Sequence, residues 1–168
     1  MQTTTETAAE IKKDNKPSFH FRFKRKLLTC FAMCLLFFCN GTTAQLSATE
    51  MVKQAKQRIE NLTVQQANAE LTNGTIVLID IREAEELTKG KIAGAIHAPR
   101  GMLEFYADST LPYYKPVFKK ESRIVLYCAS SGRSALAVQT LKSMGYKNVT
   151  HINGGFNAWK EAGFPVEQ

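Results

Sequence analysis

Beyond residue 44, two short segments of this sequence have a bulky aliphatic or aromatic side chain at every position instead of at alternate positions. They are residues 76–79, within TIVLID, and residues 124–127, within RIVLYC. A strand that is exposed on one face alternates polar and apolar residues, so an uninterrupted run indicates a strand covered on both faces, as in a parallel sheet. Helical patterns precede and follow both runs. This alternation predicts an α/β domain built on a parallel sheet.

Helical periodicity also predicts the elements around these strands. Residues 47–59 place apolar side chains at helical spacing, and Thr63 with Gln66 has the form of a capping box that begins a second helix, which Asn73 and Gly74 end. The remaining predictions are helices in EAEELTKG, GMLEFYA, GRSALAVQTLKSMG and GGFNAWKEAG, and strands in GAIHAP and NVTHI.

The first 44 residues differ in character from the rest of the chain. Three basic residues precede an uncharged run over residues 27–39, and Thr42-Thr43-Ala44 offers a small-x-small cleavage site. The run is shorter than the ~20 apolar residues that span a bilayer. We therefore expect a signal peptide, cleaved before Gln45, and export to the bacterial periplasm. An uncleaved membrane anchor, lipidation of Cys39 and a buried helix are the alternatives.

Charge and cysteine content narrow the range of functions. The chain carries a formal charge of +7, but residues 1–44 hold seven basic and three acidic residues, which leaves fifteen and twelve for residues 45–168. No basic stripe with interleaved aromatics indicates a nucleic-acid surface. Three of the four cysteines lie in the segment expected to be removed. Cys128 is then the only thiol of the mature domain, and it is either an inert buried residue or a reactive one.

The residues around Cys128 favour a reactive role. Cys128 ends a predicted strand, and ligands of open α/β sheets bind beyond the carboxyl ends of the strands. The following helix directs its unpaired N–H groups and positive dipole end toward the loop, which would stabilise a thiolate without a histidine base. Arg133 adds a permanent cation with a fork geometry suited to an oxyanion or to charge that develops on a leaving group. The loop residues that complete this anion cradle are Ala129, Ser130, Ser131, Gly132 and Ser134, in which the serines can donate hydrogen bonds or cap the helix.

CASSGR, a CxxxxR loop between a strand and a helix, resembles the active-site loop of rhodanese-homology sulfurtransferases. IVLIDIREAEELTKGKIAGAIHAPRG is similar to the first signature of that family, and GYKNVTHINGGFNAW is similar to its closing strand, double glycine and Ala-Trp. The three matches keep the family order. The resemblance implies one rhodanese module over residues 59–168, preceded by an N-terminal helix in residues 45–58, with a five-stranded parallel sheet and helices on both faces.

The resemblance also implies a reaction. Cys128 would take sulfane sulfur from a small anion such as thiosulfate, carry it as a persulfide held by the loop amides, and pass it to cyanide or a thiol, which could belong to a protein. Asp80 and Arg82 match the family's Asp-x-Arg and are expected to support the site through hydrogen bonds and ion pairs. No metal site or cofactor is indicated. A sulfur-relay or docking module is the alternative, and a phosphatase or arsenate reductase is disfavoured because its loop has one more residue.

Overall fold

The computed structural model describes residues 45–168. The predicted signal segment, including Cys39, lies outside the described residues. The helices, in chain order, are α1 (Ala48–Arg58), α2 (Val64–Thr72), α3 (Ala84–Leu87), α4 (Leu103–Ala107), α5 (Gly132–Ser143) and α6 (Gly155–Glu161), with a 3-10 turn at Arg100–Met102. The strands are β1 (Asn61–Leu62), β2 (Val77–Asp80), β3 (Lys91–Ile92), β4 (Ile96–His97), β5 (Ile124–Tyr127), β6 (Val149–Ile152) and β7 (Val166–Glu167).

The main sheet has five strands in the order β1-β6-β5-β2-β4, and every neighbouring pair is parallel. The uninterrupted apolar run of residues 124–127 forms the central strand β5, which is buried along its whole length. The predicted five-stranded parallel sheet is therefore confirmed. The strands β3 and β7 form a separate antiparallel pair that the sequence patterns did not indicate.

Helices cover both faces of the sheet, as predicted. On one face, α1, α4 and α5 contribute apolar side chains such as Ala55, Leu103 and Ala135 to a buried cluster. On the other face, α2 and α6 contribute Ala67 and Trp159. Burial of apolar surface on two sides explains why β2 and β5 carry no polar alternation. None of the described helices is both long and apolar enough to span a bilayer.

The second helix begins where the capping box predicts. Thr63 Oγ1 accepts a hydrogen bond from the backbone N–H of Gln66 at 3.2 Å, and Gln66 Oε1 accepts one from the N–H of Thr63 at 2.9 Å. Two otherwise unpaired donors at the helix start are thereby satisfied. Strand β1 lies directly before this cap, and its two residues are too few to leave a pattern in the sequence.

Candidate active site

Cys128 follows the central strand β5 directly and stands at the carboxyl edge of the sheet. It is 1% exposed and is the only free cysteine among the described residues. Asp80 ends the neighbouring strand β2, in register with Tyr127. The parallel sheet thus brings Cys128 and the Asp-x-Arg segment to the same edge, where open α/β sheets bind ligands.

The loop after Cys128 presents backbone donors that nothing in the described chain uses. None of the backbone N–H groups of residues 129–134 donates a hydrogen bond to another group within residues 45–168. The helix α5 begins inside this stretch, at Gly132, so part of the set is the unpaired N-terminal turn of a helix. Six free amides and a helix dipole make the loop a receptor for an anion.

Ser131 gives this loop its shape. Its φ of 77° puts it in the left-handed region, which costs a residue with a side chain about 1–2 kcal/mol. It occupies the N-cap position of α5, but its side chain makes no capping hydrogen bond. Ser131 Oγ instead accepts a hydrogen bond at 2.7 Å from Lys56 Nζ on α1. Of the two roles that the sequence allowed for the serines, capping is therefore wrong for Ser131. Its left-handed backbone differs from the extended conformation from which an N-cap side chain reaches the first helical amides.

The double glycine before α6 holds the other side of the loop. The N–H of Phe156 donates to Cys128 O at 2.8 Å, and the N–H of Asn157 donates to Ala129 O at 3.0 Å. A Cβ on Gly155 would lie 2.9 Å from Ala129 O and closer still to Cys128 O. Only glycine permits this approach, which explains why the GG pair precedes the last helix.

A buried polar chain runs from Cys128 to strand β1. The Cys128 thiol donates to Ser134 Oγ at 3.8 Å, and Ser134 Oγ lies 3.0 Å from His151 Nδ1. His151 Nε2 donates to Asn61 Oδ1 at 2.8 Å, because both amide protons of Asn61 go to backbone carbonyls. Burial, together with the nearby Lys56 charge, lowers the pKa of His151 to about 4. His151 was not among the site residues selected from the sequence, and the fold brings this neutral imidazole within two hydrogen bonds of the sulfur.

Arg133 forms a bidentate ion pair with Glu86 of α3. Its Nη1 and Nη2 donate to the two carboxylate oxygens at 2.7 and 2.8 Å. The hydrogen bond from Arg133 lowers the pKa of Glu86 to about 2 despite the opposing effect of partial burial, and the same pairing raises the pKa of Arg133. Glu86 was not among the residues selected from the sequence. The pair fixes the guanidinium beside the loop and neutralises part of its charge.

Asp80 and Arg82 form a buried ion pair, at 0% and 2% exposure. Arg82 Nε and Nη2 donate to the Asp80 carboxylate at 2.6–3.0 Å, and Nη2 also donates to Gly90 O. The Arg82 guanidinium lies 4.1 Å from the centre of the Phe156 ring. These contacts connect β2, the α3–β3 turn and α6. The structure contains the hydrogen bonds and ion pair expected of Asp80 and Arg82, and their support of the site stays a prediction.

A shallow cavity of about 120 Å³ adjoins the loop. Ala129 and Asn157 line it, and the charged side chains in its lining are Arg82, Lys89, Lys160 and Glu86, of which Glu86 pairs with Arg133. Nearer the edge of the domain, Lys91 forms an ion pair with Glu167 at 2.7 Å, a local structural role. Within residues 45–168 no cluster of three or more His, Cys, Asp or Glu side chains could hold a metal ion.

Comparison with known proteins identifies the family. The rhodanese-like domain model matches residues 63–162, so the chain belongs to the rhodanese-like domain family. A thiosulfate sulfurtransferase of Tolumonas auensis is 29% identical over 99 residues, which cover 59% of this chain and 86% of that protein. An uncharacterized protein of Synechocystis is 37% identical over 91 residues, 54% of this chain, and the match spans only 46% of that protein. Sulfur transfer is therefore supported at the level of the family.

A solved structure from Rhodopseudomonas palustris shares 43% sequence identity, with a TM-score of 0.70. The alignment covers 75% of this chain and 98% of that one. That protein is described as one of unknown function and a possible tyrosine phosphatase. The two chains share a fold.

Proposed function

We propose that this protein is a sulfurtransferase in which Cys128 carries sulfane sulfur as a persulfide. The main support is the set of six unpaired amides in residues 129–134 beside the only described thiol. A sulfur anion on Cys128 would accept these N–H groups at no cost in broken protein hydrogen bonds. The four residues between Cys128 and Arg133 make a small cradle, suited to one sulfur atom more than to a tetrahedral oxyanion.

The reaction has two displacement steps. The Cys128 thiolate attacks the outer sulfur of thiosulfate, a new S–S bond forms, and the S–S bond of thiosulfate breaks with its electron pair leaving on sulfite. Cyanide or a thiolate then attacks the outer sulfur of the persulfide, which returns the electron pair to Cys128. No net oxidation or reduction of the protein occurs over the cycle, and covalent storage of sulfur gives ping-pong kinetics.

The surrounding charges support the use of an anionic donor. Arg133 is held beside the loop by Glu86, and Lys89 and Lys160 add positive charge to the lining of the adjoining cavity. A dianion such as thiosulfate would be attracted to this region, and sulfite would leave through it. The loop amides hold the persulfide while the acceptor approaches.

A sulfur-relay module with a protein thiol as acceptor is the second candidate. The observation that favours it is the burial of Cys128, which is 1% exposed. A sulfur at the floor of a narrow cradle reacts best with a partner that fits the loop, so cyanide could be a poor acceptor. Under this alternative, persulfide still forms on Cys128 and thiosulfate turnover is slow.

The test is a thiosulfate-to-cyanide assay on the purified protein and on Cys128→Ser. We expect turnover and a gain of one sulfur, ~32 Da, on the Cys128 peptide, and neither in the variant, which keeps the size of the side chain but lacks the nucleophile. Persulfide without turnover would favour the relay. Absence of both, or hydrolysis of p-nitrophenyl phosphate that depends on Cys128, would refute sulfur transfer.

We further propose that the domain acts after export, with cleavage before Gln45, an uncleaved membrane anchor being the alternative. The basic residues and apolar run of residues 24–39 support export. N-terminal sequencing of the protein recovered from the periplasm tests it. A mature chain that begins near Gln45 is expected, and a protein found only in the cytoplasm with its first residues intact would contradict export.

A further inference from the structure

Helix α1 places one side chain against the loop that follows Cys128. Lys56 Nζ lies 2.7 Å from Ser131 Oγ and 3.1 Å from Asn153 Oδ1. No carboxylate of residues 45–168 forms an ion pair with Lys56. The lysine is thus bound to neutral oxygens at the site, and its charge is not neutralised by an acid there.

Its partner Ser131 has an unfavourable backbone conformation. Ser131 is the only non-glycine residue of the described chain with a positive φ, and it is 1% exposed. A residue with a Cβ populates this region roughly tenfold less than the right-handed one. Contacts that favour the left-handed turn offset this cost. The Ser131 carbonyl accepts hydrogen bonds from Ser134 Oγ at 3.1 Å and from the N–H of Ala135 at 3.0 Å, and the hydrogen bond from Lys56 adds a contact from outside the loop.

The packing of α1 makes this contact a fixed part of the structure. Ala55, next to Lys56, is fully buried against the sheet. Val52, one turn earlier, is close to the start of α5, because its Cγ2 would lie 3.7 Å from a Cβ on Gly132. The carbonyl of Lys56 accepts a hydrogen bond from Asn61 Nδ2 at 2.8 Å. The contacts of the Lys56 carbonyl and of the adjacent α1 side chains therefore fix the position of the Lys56 side chain relative to the loop.

We propose that Lys56 is a positioning residue of the Cys128 site, which holds Ser131 in its left-handed conformation and so fixes the direction of the Ser131 and Gly132 amides in the anion cradle. This inference rests on the proposed sulfur transfer for its biological meaning. It extends the site beyond residues 63–162, the part that matches the family, to a helix that the sequence predicted only from the spacing of its apolar side chains.

The experiment is a double-mutant cycle between positions 56 and 131. Lys56→Met removes the donor and keeps the length of the side chain, whereas Ser131→Gly removes the conformational penalty, since glycine adopts a positive φ without strain. Lys53→Met is the matched control, because Lys53 lies on the same helix with its side chain 65% exposed and pairs only with Glu50. Thermal unfolding of each variant checks that the fold is retained.

Two rates are measured for each protein. One is kcat/KM for thiosulfate, and the other is the rate at which iodoacetamide alkylates the Cys128 peptide, followed by mass spectrometry. We expect Lys56→Met to lower both rates about tenfold in the wild-type background and no more than about twofold when residue 131 is glycine. Lys53→Met should leave both rates unchanged. A lysine that merely stabilised α1 would show the same effect in both backgrounds.

The alkylation rate separates this inference from the proposed function. If the wild type neither turns over thiosulfate nor forms a persulfide on Cys128 but the alkylation rates show the coupling, the sulfur-transfer proposal fails and the positioning role stands. If Lys56→Met alkylates as fast as the wild type, or if glycine at position 131 does not reduce its effect, the positioning role is refuted whatever the activity.

Discussion

Replacing Gly155 by alanine tests how the closing double glycine positions Cys128. The new Cβ would lie 2.9 Å from Ala129 O and nearer still to Cys128 O, so the loop carbonyls or the start of α6 would have to move. The residue would also keep a φ of 61°, which is unfavourable for alanine. We expect both the stability of the domain and the reactivity of Cys128 to fall.

The expected loss of stability has two parts. The positive φ costs about 1 kcal/mol. Moving the carbonyls weakens the hydrogen bonds that Phe156 and Asn157 donate to Cys128 O and Ala129 O, at 2.8 and 3.0 Å, and each such bond contributes about 1 kcal/mol. The free energy of unfolding should therefore fall by about 3 kcal/mol in Gly155→Ala.

Gly163→Ala is the matched control for this variant. Gly163 has a φ of 73°, but a Cβ there would meet nothing within 4 Å, so only the conformational part applies. Urea unfolding of the two variants and the wild type measures the difference, and the alkylation rate of Cys128 reports the loop. If Gly155→Ala were no more destabilising than Gly163→Ala, the close approach of α6 to the Cys128 loop would be refuted.

Two further predictions follow from the charges near the loop. Glu86→Gln leaves the Arg133 charge without its counter-ion. The KM for thiosulfate should therefore fall several-fold at low ionic strength, and by less in high salt. A KM that rises would show instead that Glu86 acts by aligning Arg133. Burial lowers the pKa of His151 from 6.5 to about 4, so the unfolded chain takes up this proton at a higher pH than the folded chain does. The free energy of unfolding should therefore be constant with respect to this group above pH 6.5 and decrease as the pH falls toward 4, by at most ~3 kcal/mol. Urea unfolding at pH 7 and pH 4.5 should show a smaller difference in His151→Gln than in the wild type, and equal differences would contradict the buried neutral imidazole.

The elements of the fold could be predicted because each depends on residues close together in the sequence. The runs of residues 76–79 and 124–127 predict strands covered on both faces, and both became central strands. Thr63 and Gln66 predict a helix start through reciprocal hydrogen bonds three residues apart, which the structure contains. Strands β1, β3 and β7 have two residues each and leave no periodicity, so they were missed.

The loop at the centre of the candidate site could also be predicted from the sequence. Cys128 and Arg133 lie in one loop, and their spacing, the strand before them and the helix after them are all local features. From these alone the sequence predicted a thiol in a cradle of amides at the edge of a parallel sheet. Its catalytic role stays a prediction until sulfur is found on Cys128.

The partners of that loop were decided by the tertiary structure alone. Glu86 pairs with Arg133 across 47 positions, and Lys56 binds Ser131 across 75. His151 reaches Ser134 from the next strand of the sheet. A lysine, a glutamate and a histidine are common in any chain, and no local pattern distinguishes those that the sheet brings to the active-site edge. The sequence by itself therefore determined the position of Cys128 and the loop of small residues after it, because these are local features. The packing of α1, α3 and β6 determined which distant side chains contact that loop.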